Sequence, residues 1–135
     1  MRRILWLLLL IIIAGVAYVG YVYYKAPAIP VAAADLDKGG AFSDAEKSAL
    51  ASACTNVVKK DTDKVCGCLV DKAATNLSRF ERMMATATLQ GKLTEVAGIT
   101  KGLVDSGIPM DKVKAAEGDA RQRITDLNKS CGVTQ

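Results

Sequence analysis

With 135 residues, 24% of them charged, and a net charge of +4, the chain has room for one small domain and one further segment. It contains no histidine, which removes the commonest general base and the usual serine or cysteine triads; no phosphate-binding glycine loop, nucleophile elbow or HExxH pattern appears. Of the 18 basic residues, Arg2, Arg3 and Lys25 flank an apolar run, leaving 15 Lys and Arg against 14 Asp and Glu from Asp35 onward, so the basic balance concerns membrane topology rather than nucleic acid.

The run Ile4 to Tyr24, ILWLLLLIIIAGVAYVGYVYY, has 21 residues without a charge or proline. As a helix at ~1.5 Å per residue it spans roughly the 30 Å hydrocarbon thickness of a bilayer. Arg2 and Arg3 precede it and Lys25 follows, so the positive-inside bias predicts a cytoplasmic N-terminus. Trp6, Tyr18, Tyr21, Tyr23 and Tyr24 fall where interfacial aromatic belts form, and with Arg2 and Arg3 they make the expected membrane-anchor interface. A cleaved signal peptide is the competing reading, because VAAAD at Val31 to Asp35 supplies small residues of the A-x-A kind. The apolar run is longer than a secretory h-region, and YYKAPAIP separates it from the alanines, which favours an uncleaved signal anchor over residues 1–25. The anchor carries no ionisable residue between Ile4 and Tyr24 and so offers no proton path or ion site; Ala14, Gly15, Ala17 and Gly20 leave a small-residue strip on it. Residues 26–41, with Pro27, Pro30 and Gly39-Gly40, read as an extended linker to a helical domain over 42–135.

In that domain Ser43-Asp44-Ala45-Glu46 is a capping box with Phe42 ahead of it, opening a helix that continues through Leu50, Ala53, Cys54 and Val57 to about Lys60. KKDTDK supplies a turn in which Asp61 or Asp63 caps a second helix running to about Leu77, making a helical hairpin. Ser78-Arg79-Phe80-Glu81 is a second capping box, and Phe80, Met83, Met84, Ala87 and Leu89 carry a third helix to Gln90-Gly91. Leu93 to Val104 fits a fourth despite Gly98 and Gly102, two glycines that mark either close helix approach or a weak helix. Met110 to about Lys129 repeats apolar residues at three and four and forms the fifth, with Cys131-Gly132 at its end. The expected fold class is therefore all-α: one N-terminal transmembrane helix, then a small disulfide-stapled bundle of about five short helices.

Only Phe42 and Phe80 are aromatic in that domain, so its core is thin and cross-links would supply a useful share of its stability. Cys54, Cys66, Cys68 and Cys131, beyond the membrane where oxidation is the rule, predict two disulfides. A ring closed between Cys66 and Cys68 is strained, leaving Cys54 to Cys66 with Cys68 to Cys131, or Cys54 to Cys68 with Cys66 to Cys131. Residues two apart on a helix point about 200° apart, so the CxC sends its sulfurs to different partners. Helical phase favours Cys54 to Cys66, axial register across the short turn favours Cys68, and the two are not separable from the sequence.

Copper or zinc on the CxC thiolates is the sharper alternative, but the spacing is unlike structural zinc knuckles and no histidine joins it. Met83 and Met84 read as core. The carboxylates Glu46, Asp71, Glu81, Glu95 and Glu117 read as solvated pairs beside Lys and Arg. No cofactor, catalytic residue, small-molecule substrate or nucleic-acid partner is expected. The functional expectation is a non-catalytic, single-pass protein of the inner membrane, its C-terminal domain periplasmic. Its expected role is an accessory or assembly subunit of a larger membrane complex, its partners that complex and the lipid bilayer. An exported thiol-disulfide or copper-handling factor using the CxC pair is the alternative.

Overall fold

An uninterrupted apolar run has no reason to break a helix, and in the computed structural model, which describes residues 2–133, it forms one: α1 (Arg2–Lys25). From Trp6 to Lys25 this helix is long and apolar enough to cross a membrane, as an anchor or as a signal sequence, and none of its most apolar window is buried by the rest of the chain. Five further helices follow, α2 (Asp44–Val57), α3 (Thr62–Asn76), α4 (Arg79–Leu89), α5 (Leu93–Asp105) and α6 (Met110–Cys131), with one 3-10 turn at Ala33–Leu36. The described residues contain no strand.

Both capping boxes form. The Ser43 hydroxyl accepts from the Glu46 N–H at 3.2 Å while the Glu46 carboxylate accepts from the Ser43 N–H at 3.0 Å, and Ser78 with Glu81 repeats the exchange at 3.2 and 2.8 Å. The start of α3 differs from expectation. Asp61 does hold the N-cap position, but in the left-handed region at φ 51° and with no capping hydrogen bond from its side chain.

Two apolar clusters result. The first lies between α2, α3 and the end of α6 and is built from Leu50, Cys54, Cys66, Leu69, Ala73, Leu77 and Leu127 with their neighbours. The second gathers Val31, Phe80, Ala87, Ile99, Leu103, Val113 and Ala120 between α4, α5 and the start of α6. Ile124 packs against both, and Met83 and Met84 pack against the second, the core role expected of them.

The segment 26–41 departs from a free linker. It runs largely extended, yet Ala26 and Val31 are 2% exposed and Ile29 packs into the second cluster, so it is a strap across α5 rather than a tether. Gly98 and Gly102 make this possible. The Ile29 N–H donates to the Gly98 carbonyl at 2.9 Å; a Cβ on Gly98 would stand 2.5 Å from the Pro27 carbonyl oxygen, and one on Gly102 would overlap the Ile29 carbonyl. The close approach expected of these glycines is therefore real, but it is made to extended chain and not to a helix.

Candidate functional site

The cysteines belong to two bridges of different character. Cys54 on α2 joins Cys66 on α3 with Cα atoms 5.7 Å apart, both residues inside the first cluster at 0% and 5% exposure. Cys68, on the opposite side of α3, joins Cys131 at the end of α6, also across 5.7 Å, and this pair is half-buried. Of the two pairings open from the sequence, helical phase therefore prevails over axial register. Cys66 shares the apolar face with Val65, Leu69 and Ala73 and meets α2, while Cys68, about 200° away, meets α6. All four sulfurs are engaged, and among the described residues no three Cys, Asp or Glu side chains converge as a metal site.

Along α1, Trp6, Tyr18, Tyr21, Tyr23 and Tyr24 are all exposed. The side chains of Arg2 and Arg3 lie outside the described residues. Tyr18 and Tyr23 face α5 across a groove, and Tyr23, at 39%, is the least exposed of the four tyrosines. The aromatic residues thus include two that meet the domain itself.

Polar side chains lock the strap to the bundle. Arg79 at the start of α4 reaches Asp35 at 3.2 Å and Glu46 at 3.1 Å, tying the 3-10 turn, α2 and α4 together. Burial works against the Glu46 carboxylate, but hydrogen bonds from Ser43 and Arg79 outweigh it and hold its carboxyl below the ordinary glutamate value. Arg82, only 3% exposed, lies with its guanidinium 4.5 Å from the centre of the Phe42 ring. It donates to the carbonyls of Gly39, Leu77 and Ala41 at 3.1, 3.1 and 2.8 Å. Desolvation pulls its pKa down, partly offset by the Glu46 charge. One planar fork therefore closes the end of the strap onto the α3–α4 corner. At the far end, the Ser106 hydroxyl donates to the Val31 and Gly102 carbonyls.

One carboxylate corrects expectation. Glu81 is not a solvated surface acid but 3% exposed, accepting from Arg123 of α6 at 2.7 Å as well as from the Ser78 N–H. The features missed by sequence reading, the burial of Arg82, the Glu81–Arg123 pair and the strap contacts of Ile29 and Val31, share one property: the partners lie in other elements. Only the two glycines signalled that something approaches α5. Leu93, 72% exposed at the start of α5, also gave no signal.

Taken together, the candidate functional feature is a junction: an exposed apolar helix whose last turns pack on α5, followed at once by a strap that α5, Arg79 and Arg82 hold in place. No protein-family model, no curated protein and no solved structure matches this chain.

Proposed function

We propose that this protein is a non-catalytic, single-pass anchor protein with a cytoplasmic N-terminus and a periplasmic helical domain, acting by contact as an accessory or assembly subunit of a larger membrane complex. The observation that carries the reading is the packed strap. A domain that merely needs tethering tolerates a loose linker, whereas residues 26–31 here are clamped to α5 through the Pro27 carbonyl, the Ile29 N–H and Val31, which sets the domain's height and tilt relative to α1. Fixed orientation serves a protein that presents one face to a neighbour in the same bilayer. The two bridges fit an oxidising compartment, and their use of every sulfur supports the structural role of the CxC over metal handling or thiol exchange.

The test is purification of the full chain from its native membrane in mild detergent, with mass spectrometry of whatever accompanies it. Recovery in a fixed ratio with a membrane complex is expected, and a Gly102→Ala variant, still membrane-bound, should show weakened association. A strictly monomeric and unaccompanied protein overturns the subunit role. Free thiols or bound copper in the purified protein overturn the structural role of the cysteines; the expected intact mass under thiol-blocking, non-reducing conditions lacks two hydrogens for each bridge.

A further inference from the structure

The bridge between α3 and α6 opens onto a cleft that the buried bridge does not reach. This cleft, of about 420 Å³, lies between the α2–α3 turn and the end of α6. Cys68 and Cys131 line it together with Lys59, Lys60, Lys64 and one carboxylate, Asp61. Three cations against one carboxylate make the wall beside the disulfide positive. Lys59 donates to the Asn56 carbonyl at 2.7 Å, and among the described residues neither Lys60 nor Lys64 forms an ion pair. A cleft lined by one sign of charge concentrates ligands of the other.

The two sulfurs are not equivalent. Lys64 stands four residues before Cys68 on α3, hence on the same face, and its charge stabilises a thiolate on Cys68. Cys131 is the last residue of α6, where the negative end of the helix dipole disfavours an anion. In thiol–disulfide exchange the sulfur that leaves more readily is the one with the better stabilised thiolate. Cys68 is therefore the leaving group and Cys131 the sulfur attacked.

We propose that the Cys68–Cys131 bridge is an exchange site for a low-mass anionic thiol, which becomes attached to Cys131. The incoming thiolate forms a bond to the Cys131 sulfur and the bond from Cys131 to Cys68 breaks. The electron pair of that bond leaves on Cys68 as a thiolate, which takes its proton from water, so no further oxidant or reductant enters. The resting bridge is structural and is opened only by such a thiol, while Cys66, on the opposite side of α3, stays joined to Cys54. None of this chemistry depends on whether α1 spans a membrane.

The experiment exposes the full chain in neutral detergent to limiting mercaptoethanesulfonate, mercaptoethanol or cysteamine. N-ethylmaleimide stops the exchange, and peptide mass spectrometry maps the thiol adduct and the maleimide. The sulfonate is expected on Cys131 with the maleimide on Cys68. Per thiolate and at low ionic strength, it should react about tenfold faster than the neutral thiol, and the cationic thiol more slowly than both. Salt at about 1 M should reduce the tenfold preference to about twofold. Lys60→Gln combined with Lys64→Gln, both at exposed positions, should do the same without added salt. An adduct on Cys68, equal rates for the three thiols, or a preference indifferent to salt and to the lysine substitutions overturns the exchange site. The intact mass before any thiol is added reads the disulfide framework separately, so that framework stands or falls independently of this result.

Discussion

The two halves of the domain are stabilised by different means. Around α2, α3 and the end of α6, a core of small residues, Ala, Val, Leu and Cys, is covalently closed by both disulfides. Around α4, α5 and the start of α6 there is no bridge; Phe80, the largest fully buried side chain, the strap over Gly102 and the Glu81–Arg123 pair hold the structure by packing and hydrogen bonding. The cross-links sit in the half without a buried aromatic ring, and the half that touches α1 relies on non-covalent contact. Stability against reductant and attachment to α1 are thereby assigned to different regions.

The sharpest way to break this division is Gly102→Ala. The new Cβ overlaps the Ile29 carbonyl, a backbone atom that can yield only if the strap lifts. A loss of about 4 kcal/mol is expected, with both bridges intact by mass and the strap newly open to protease. Unchanged thermal unfolding and protease resistance would show that the strap is dispensable.

Almost as large is removal of a bridge. Replacing Cys68 and Cys131 together frees a loop of sequence separation 63 and should cost about 4 kcal/mol by chain entropy, against about 3 kcal/mol for Cys54 with Cys66 at separation 12. Equal losses measured by denaturant unfolding would show that the core around the shorter bridge compensates. Exposure orders the chemistry as well. Limiting reductant should release Cys68 and Cys131 first, because their bridge is half-exposed while Cys54 and Cys66 are buried. Differential alkylation reads the order, and early labelling of Cys54 contradicts it.

Smaller again is Arg82→Lys. An ammonium cannot span carbonyls of both the strap and the α3–α4 corner, so a loss of about 2 kcal/mol is expected, with faster amide exchange near Gly39 to Ala41 as its signature. The smallest effect is titration. Since Glu46 is held below its ordinary value of 4.5, its contribution is fully present above that pH and is lost as pH falls through the lower folded-state value. Glu46→Gln should flatten this acid limb, and an unaltered acid profile would assign the limb to other carboxylates.

Much of the fold was readable because its signals are local. Ser43 with Glu46 and Ser78 with Glu81 define helix starts within four residues, and the uninterrupted apolar run of α1 needs no partner to be recognised. Glu81 shows where this fails. Its role as a cap is local and was legible, but its burial against Arg123, 42 residues away, depends on where α6 crosses α4. The strap fails for the same reason, since 26–41 has the prolines and glycines of a linker and only α5, some seventy residues on, makes it part of the domain.

By itself the amino-acid sequence determined the all-helical class, the apolar anchor-length helix, the capped starts of α2 and α4 and the need for the two CxC sulfurs to part, because each follows from chain stereochemistry or hydropathy over a few turns. Tertiary structure alone decided that Cys66 goes to Cys54 and Cys68 to Cys131, that residues 26–31 lie on α5 and that Glu81 and Arg82 are buried. Those outcomes depend on how helices far apart in sequence pack, and helical phase along one element cannot specify the axial register between two.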